Sequence, residues 1–329
     1  VALFMHVYFM DLVDYCKRYA ASMPLYADIY ITTNSEAKKK LLEKTFENFG
    51  GRKVKVSVVE NRGRDISAHF IELKSFITQY DYICFAHDKK TNYLKPYMIG
   101  ESFAYHCFEN VLASSAFVEN VITTFQDNPR LGLLVPPPPI HSSYSTTLGN
   151  EWSINFSLTQ ELAKRLQINV DIDKDKSPVA PLGTIFWFRP KALKILFEAN
   201  FKYEDFPEEP IQETDGTIMH AIERLYPFAA QQAGFYSGWV LSDTFTKMEL
   251  TNLSKVLSDY NRVLTWKFGT SNRYNYIHMI GNMNSDKILV NISKYQNIKR
   301  ITRRIVGNNL YELMKKTKNN LFHSKNETY

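Results

Sequence analysis

The chain has 329 residues, of which 44% are hydrophobic, 22% charged and 14% aromatic, a composition typical of a folded globular protein. Disordered, collagen-like and low-complexity chains are therefore excluded. Its three cysteines form no CxxC pair, which argues against a disulfide framework or a structural zinc site and favours a reducing, cytoplasmic setting. No run of about 18 apolar residues occurs, so we expect no membrane-spanning helix.

The positive charge is concentrated near the C-terminus. Residues 294–325 contain nine Lys or Arg and one acidic residue, a net of +8 that leaves −2 for the rest of a chain whose total is +6. The body of the protein is therefore not expected to bind nucleic acid. The apolar residues of 298–321 fit a basic amphipathic helix, which either binds an anionic membrane surface or packs on the body with a solvated basic face.

The first half of the chain alternates strand and helix patterns. Strands are predicted at 1–9, 27–33, 53–60 and 82–86, and helices at 11–23, 35–49 and 65–79. The first strand lacks a basic flank and is followed by acidic residues, so we do not expect it to be a signal peptide. Strands separated by single helices indicate a parallel sheet, whose ligands bind at the carboxyl ends of the strands.

The second half is less regular. Helices are predicted at 103–125, 157–166, from 190 and at 215–225, and strands at 131–135, 184–188 and 235–241. A proline run at 136–139 must leave the sheet as an extended segment. Residues 244–293 show no strong periodicity and are predicted to link this domain to the basic tail, 294–329.

Residues Glu60 to Asp65 lie where a strand ends and a helix begins. Arg62 and Arg64 flank a glycine there, and guanidinium groups beside free helix N–H groups favour phosphate oxygens, which indicates a diphosphate ligand. The alternative is a helix capped by Asp65 with two solvated arginines.

Residues His87 to Thr91 follow another apolar strand. His87 and Asp88 are residue types that hold a divalent ion, and Lys89 and Lys90 are able to neutralise a leaving diphosphate without one. The alternative is an ordinary polar turn after a buried strand.

Residues Gln212 to Gly216 precede a predicted helix. Asp215 is a candidate N-cap, and its proximity to Glu213 indicates that one of the two carboxyls keeps a raised pKa suited to a general base. Capping alone also explains Asp215, and His220, Glu223 and Arg224 equally fit ordinary pairs on the helix surface.

Residues Pro181 to Pro190 form an aromatic-rich strand that begins after Gly183. Aromatic faces stack on sugar rings, but a core strand uses the same residues for packing. Alternation places Phe186 and Phe188 on one face and Trp187 on the other, so only part of this set is able to line a site.

Taken in order, these segments resemble one family. The segments are His6 to Tyr8, Asp28 to Thr33, Glu60 to Asp65, His87 to Lys90, Asn128-Pro129 with Leu131-Gly132, Pro181 to Pro190, Asp215 to Thr217 and His220 to Arg224. Together they look like the rhamnan synthesis protein F family, bacterial rhamnosyltransferases of cell-wall and surface polysaccharide assembly. The resemblance covers about residues 1–240 and excludes the tail.

The resemblance implies a nucleotide-sugar-dependent glycosyltransferase with an α/β fold. The expected architecture is GT-A-like, a Rossmann-type mostly parallel sheet flanked by helices and followed by a C-terminal basic helical tail. Residues 1–243 would form this domain, with a nucleotide-sugar-binding half at 1–135 and an acceptor half at 136–243. The implied donor is dTDP-β-L-rhamnose, and an α-linked product would require inversion at the anomeric carbon.

The resemblance also implies roles for individual residues. Asp215 is the expected catalytic base, with Glu213 as the second choice. The expected donor-binding residues are His6, Tyr8, Thr32, Glu60, Asn61, Arg62, Arg64, Asp65, His87, Asp88, Lys89 and Lys90. The expected acceptor-binding residues are Gly183, Thr184, Trp187 and His220.

The resemblance allows two interpretations of metal dependence. GT-A enzymes generally carry an Asp-x-Asp metal motif after the fourth strand, where this chain has His87-Asp88-Lys89. Either Asp88 holds Mg²⁺ or Mn²⁺, or Lys89, Lys90 and the arginines replace the ion, which is the reading we favour.

The leading hypothesis is an inverting rhamnosyltransferase that acts on a lipid-linked glycan at the inner face of the plasma membrane, where the tail holds it. One alternative is a non-catalytic glycan- or nucleotide-binding subunit of a polysaccharide assembly complex, which the incomplete metal motif favours. Another is a peripheral membrane scaffold, which only the tail supports.

Overall fold

A computed structural model describes residues 1–90, 96–141, 144 and 147–268. The chain divides into two compact units, Val1–Ser254 and Lys255–Tyr329. The sheet and the candidate site belong to the first unit. The predicted tail at 294–329, the predicted linker from 269 onward and Thr91 lie outside the described residues.

A seven-stranded sheet forms the centre of the first unit. Its strands are β1 (Ala2–His6), β2 (Asp28–Thr33), β3 (Val54–Val58), β4 (Ile83–His87), β5 (Leu131–Val135), β6 (Phe186–Phe188) and β7 (Tyr236–Trp239). They are ordered β3-β2-β1-β4-β6-β5-β7, and β6 is antiparallel to both of its neighbours while the other pairs are parallel. The predicted α/β class with a mostly parallel sheet is confirmed.

Helices cover both faces of this sheet. The α-helices of the described residues are α1 (Val13–Ala20), α2 (Glu36–Thr45), α3 (Arg64–Ile71), α4 (Lys74–Ile77), α5 (Met98–Leu112), α6 (Ser115–Asp127), α7 (Phe156–Arg165), α8 (Lys194–Glu198), α9 (Ile218–Gln232) and α10 (Asp243–Phe268). Short 3₁₀ helices lie at Met10–Leu12, Pro190–Leu193 and Tyr203–Asp205. No helix in this part of the chain is long and apolar enough to cross a membrane.

Two hydrophobic cores pack on opposite faces of the sheet. Phe4 of β1 belongs to one core and its neighbours Leu3 and Met5 to the other, because successive strand side chains point to opposite faces. β1 is buried along its whole length, as expected for a strand covered on both faces. In β6, Phe186 and Phe188 enter the first core and Trp187 the second, which confirms the predicted alternation.

Two predicted helices are broken in the structure. The helix expected at 103–125 is divided into α5 and α6 because Ser114 adopts an extended backbone and its hydroxyl accepts a hydrogen bond from the Phe117 N–H at 3.2 Å. The helix expected at 65–79 is divided into α3 and α4. Periodicity of apolar residues runs through both breaks, so it does not reveal them.

A long helix occupies the beginning of the predicted linker. α10 starts at Asp243, within the segment predicted as a linker. Along this helix Phe245 and Glu249 are buried, whereas Leu250 and Leu253 are exposed. Leu250, Leu253 and Leu257 recur at intervals of three and four residues, the spacing of one helix face, so the sequence carries a helical signal that the linker prediction missed.

Candidate functional site

The site begins at the carboxyl ends of β1, β2 and β4. β1 lies between β2 and β4, so the strand order changes direction here, and such switch points form ligand crevices in α/β proteins. The register sets His6 of β1 beside Thr32 on one side and His87 on the other. His6 Nδ1 and Thr32 Oγ1 form a hydrogen bond of 2.9 Å. Burial lowers the pKa of His6 to about 4, so its ring is neutral near pH 7.

Asp65 is a buried carboxylate in the first turn of α3. One of its oxygens lies 3.9 Å from His87 Nδ1, and the other has no hydrogen-bond partner among the described residues. Burial alone would raise the pKa of Asp65, but the nearby His87, His69, His6 and Lys89 outweigh it and lower the pKa below its usual value. An ionised acceptor is therefore available to a ligand that donates a hydrogen bond.

Asp88 holds the loop that follows β1. Its Oδ2 accepts hydrogen bonds from the backbone N–H groups of Tyr8, at 2.8 Å, and of Phe9. Burial raises the pKa of Asp88 to about 6, although these hydrogen bonds and the neighbouring His87 act in the opposite direction. The His87 ring lies 2.8 Å from the carbonyl oxygens of Asp88 and Gly183 and so connects the end of β4 to the Gly183 loop.

The two arginines of the Glu60 to Asp65 segment are already paired. Arg62 donates to the Phe206 carbonyl oxygen at 2.6 Å and to the Glu208 carboxylate at 3.1 Å. Arg64 Nε lies 3.6 Å from the Glu209 carboxylate. The alternative of two solvated arginines on a helix capped by Asp65 is wrong for the cap, which is Gly63, and for Arg62, which binds the segment that contains Phe206. The Arg64 side chain is 44% exposed, as that alternative expected.

The two lysines after β4 differ in their contacts. Lys90 donates to the Asp11 carboxylate. The Lys89 ammonium lies 4.6 Å from the centre of the Phe103 ring and has neither a carboxylate partner nor a hydrogen bond in the described part of the chain. Lys89 therefore brings to the site a positive charge that forms no direct ion pair with a carboxylate of the described residues.

Asp215 lies before α9 and is not its N-cap. That position belongs to Thr217, and the Asp215 carboxylate instead accepts hydrogen bonds from the Asn155 side chain at 2.6 Å and the Gly216 N–H at 2.9 Å. Burial acts to raise the pKa of Asp215, but these hydrogen bonds, one from Ser153 and the charge of Arg224 lower it overall. The expected raised pKa is thus wrong for Asp215, which is ionised near neutral pH.

Glu223 and Arg224 are not on the helix surface. Both side chains are buried, they pair with each other, and Arg224 Nε donates to the Glu151 carbonyl oxygen at 3.1 Å. Glu223 accepts hydrogen bonds from the Gly183 N–H at 2.7 Å and the Thr184 hydroxyl at 3.2 Å. The pair therefore supports the Gly183 loop from α9, and the surface-pair alternative is wrong for these two residues.

A cavity of about 670 Å³ brings most of the predicted residues together. The predicted residues in its wall are His6, Tyr8, Glu60, Asn61, Arg62, Arg64, Asp65, His87, Asp88, Lys89, Lys90, Gly183, Asp215 and His220. Four predicted residues lie outside the wall. Thr32 supports His6, Thr184 is buried against Glu223, Glu213 is exposed, and Trp187 is fully buried and donates to the Val111 carbonyl oxygen at 2.9 Å. Trp187 has no surface that an acceptor could reach.

The rest of the wall was not predicted. Its additional residues are Phe9, Phe103, Pro139, Tyr144, Thr147, Leu182, Glu209, Thr214, Glu223 and Arg224. The proline run and the helix that carries Glu223 were visible in the sequence, but nothing in their local pattern indicated that they face the strand ends.

A model of the family described as rhamnan synthesis protein F matches residues 1–235. Among curated proteins, the uncharacterized protein WxcX of two Xanthomonas campestris strains, B100 and ATCC 33913, is 24% identical over 233 residues, 70% of this chain and 31% of the relative. This chain thus spans about a third of the length of those relatives.

Among solved structures, the mannosyltransferase PcManGT from Pyrobaculum calidifontis, in complex with GDP-Man and Mn²⁺, is 8% identical with a TM-score of 0.40. The match covers 73% of this chain and 56% of PcManGT, and it is too distant to support a functional argument.

Proposed function

Because this chain belongs to the rhamnan synthesis protein F family, we propose that it is a nucleotide-sugar-dependent glycosyltransferase of polysaccharide synthesis. The observation that carries this proposal is one cavity at a strand switch point. Its wall contains both the Lys89 ammonium, which forms no direct ion pair among the described residues, and the ionised Asp215 carboxylate. Transfer from a sugar diphosphate requires a cation for the departing diphosphate and a base for the acceptor hydroxyl.

The proposed donor is dTDP-β-L-rhamnose, and the proposed reaction inverts its anomeric carbon. In one in-line step, the acceptor oxygen bonds to that carbon as the bond to the diphosphate oxygen breaks. Asp215 takes the acceptor proton, and Lys89 stabilises the negative charge that develops on the diphosphate. The lowered pKa of Asp215 keeps it unprotonated near neutral pH, which is the state that a base requires.

The donor-binding half is proposed to be 1–135 and the acceptor half 136–243 of a GT-A-like domain. His6, Asp65 and Lys89 belong to the first half and Asp215 to the second, so the cavity is lined by both halves. Asp65, whose second oxygen lacks a partner among the described residues, is suited to accept a hydrogen bond from a donor hydroxyl.

The residues after β4 do not fit a divalent ion. Asp88 is their one carboxylate, its Oδ2 is already bound by two backbone N–H groups, and two lysines follow it. Hard divalent ions such as Mg²⁺ are bound by several oxygen ligands, and adjacent ammonium groups oppose their binding. We therefore assign the neutralisation of the diphosphate to Lys89 and not to a metal ion at this position.

The acceptor is proposed to be a lipid-linked glycan at the inner face of the plasma membrane. This proposal comes from the family resemblance and from the basic sequence of 294–329, a segment outside the described residues. His220, in the cavity wall, and Gly183 are the proposed acceptor contacts, whereas the burial of Trp187 and Thr184 removes both from that set.

Calorimetric titration of the purified protein with dTDP-rhamnose, dTDP, UDP-galactose and GDP-mannose tests the donor. We expect selective binding of the two dTDP ligands that persists in EDTA. Binding that requires Mg²⁺ or Mn²⁺ would return Asp88 to a metal-ligand role, and preference for another nucleotide would reassign the donor. No binding of any nucleotide would favour a non-catalytic subunit.

A further inference from the structure

Three side chains meet beside the cavity and take no part in the proposed reaction. They are His106 of α5, His141 in the segment after β5, and Glu249 of α10. Their ligand atoms all lie within 4.8 Å of one another. His106 and Glu249 are buried, and the His141 side chain is 18% exposed.

Two of the three distances between these atoms match ligands that share one metal ion. Nδ1 of His106 and Nδ1 of His141 lie 3.7 and 3.5 Å from the same Glu249 oxygen, Oε1. Ligands bound tetrahedrally at about 2.0–2.2 Å from a zinc ion lie roughly 3.4 Å apart. The same distances are at or beyond the limit of a good N–H···O hydrogen bond.

The hydrogen bonds on the far side of each ring decide where its proton lies. His106 Nε2 lies 2.8 Å from the Pro137 carbonyl oxygen, which only accepts, so Nε2 carries the proton. His141 Nε2 lies 3.1 Å from the Ser102 hydroxyl, whose own proton is donated to the Ile99 carbonyl oxygen at 2.7 Å. Nε2 of His141 is therefore also the donor, which leaves Nδ1 of each ring as the nitrogen that faces Glu249.

The two ring nitrogens face one carboxylate oxygen at distances at or beyond those of a good hydrogen bond, so a cation between them would be stabilised by all three atoms. Both Glu249 oxygens are buried and have no hydrogen-bond partner among the described residues. A buried carboxylate in that state is strongly unfavourable, and a bound cation would remove the penalty.

We propose that His106, His141 and Glu249 bind a divalent transition metal ion, with Zn²⁺ as the ion best suited to two imidazoles and one carboxylate. The second ring nitrogens donate to a carbonyl and a hydroxyl, as the outer partners of metal-binding histidines do. The site contains no cysteine, which explains why cysteine spacing gave no sign of it.

We assign to this ion the role of joining three segments of the chain. It connects α5, the segment after β5 and α10, and Phe103 and Tyr144 of the cavity wall stack on each other beside it, with ring centres 4.8 Å apart. The Phe103 ring also packs 6.5 Å from His106 and lies under the Lys89 ammonium. Metal binding would therefore fix the wall against which Lys89 is placed.

The test is a titration of chelator-treated protein with Co²⁺, followed by visible absorption and by competition with Zn²⁺. We expect one equivalent of Co²⁺ per chain, with an absorption band of tetrahedral nitrogen and oxygen ligation that Zn²⁺ abolishes. His106→Gln, His141→Gln and Glu249→Gln should each weaken binding by at least about 10-fold, since even outer-partner changes cost that much. Glu161→Gln, an exposed change on α7, is the matched control and should bind as the wild type does.

Two further measurements distinguish this site from the cavity and test metal binding in the wild type. Asp88→Asn should leave Co²⁺ binding intact, and its loss in that variant would move the ion to the cavity and refute the site. Saturating Zn²⁺ should raise the Tm of the wild type, whose folding is not in question. Absence of both the absorption band and the Tm shift in the wild type would overturn the proposal, whatever the nucleotide titration shows.

Discussion

Lys89 and Lys90 are adjacent in the chain, but their ammonium groups have different surroundings. Lys90 is paired with Asp11, whereas Lys89 faces the Phe103 ring and has no carboxylate partner in the described part of the chain. A paired cation is already partly neutralised, so a cation without a direct ion pair acts more strongly on a ligand. Variants of these two neighbouring lysines therefore compare a positive charge without an ion pair with one that is paired.

Lys89→Gln should slow sugar transfer by about 10²–10³-fold, because it removes charge stabilisation from the departing diphosphate. Lys90→Gln should have a much smaller effect, because Asp11 already compensates that ammonium. Steady-state kinetics at saturating donor would measure both variants. An equal loss in the two would contradict the assignment of the leaving group to Lys89.

Asp215→Asn should slow transfer by about 10²–10⁴-fold and leave donor affinity unchanged, since the carboxylate acts on the acceptor proton. Glu213→Gln is its control, because Glu213 is exposed and outside the cavity wall. As the pKa of Asp215 lies below its usual value of 3.8, the group stays ionised as the pH falls, and kcat should show no acidic decline from it between about pH 8 and pH 5. Weakened donor binding would instead indicate that Asp215 acts by holding Asn155 and Gly216.

At the scale of secondary structure, the turn between β3 and α3 places the Glu60 to Asp65 segment against the loop at Phe206. Gly63 adopts a left-handed backbone with φ of 71°, and a Cβ at this position would lie 2.6 Å from the Phe206 Cβ. Arg62 binds the same loop through the Phe206 carbonyl oxygen. The absence of a side chain at Gly63 is therefore what lets the two segments meet.

Gly63→Ala should lower the free energy of unfolding by about 1–2 kcal/mol for the backbone conformation and by a further 1–3 kcal/mol for the overlap with Phe206. Gly51→Ala isolates the first contribution, because Gly51 has φ of 77° and would place its Cβ in open space. Denaturant unfolding would measure the difference between the variants. Equal losses would show that the Phe206 loop moves away without cost.

The elements that could be predicted are those that depend on local pattern. Alternating strand and helix signals gave β1 to β4, and Ser35 was correctly expected to begin a helix, where its hydroxyl accepts from the Lys38 N–H. The antiparallel direction of β6 depends on the path of the chain between β5 and β6, which no local pattern encodes. The break at Ser114 depends on one side chain that serves equally well within a helix or at its cap.

At the scale of the whole molecule, some residues of the cavity wall could be placed from sequence and others could not. A parallel sheet brings its strand ends to one edge, so His6, Asp65, His87 and Lys89 could be placed together from sequence. Glu223 reaches the Gly183 loop only because α9 packs across the sheet. The His106, His141 and Glu249 cluster likewise joins three distant segments, and no spacing along the chain indicates it.

The charge of the whole chain leads to a prediction about membranes. Removal of 294–329, which contains nine Lys or Arg and two acidic residues, should abolish binding to vesicles that contain anionic lipid and leave dTDP binding intact. Each basic residue near such a surface contributes about 1 kcal/mol, so Arg300→Gln, Arg303→Gln and Arg304→Gln together should weaken sedimentation with these vesicles by roughly 100-fold. Vesicles of neutral lipid are the control, and added salt should reduce the binding that remains. Undiminished vesicle binding after the deletion would favour the alternative in which the basic segment packs on the body of the protein.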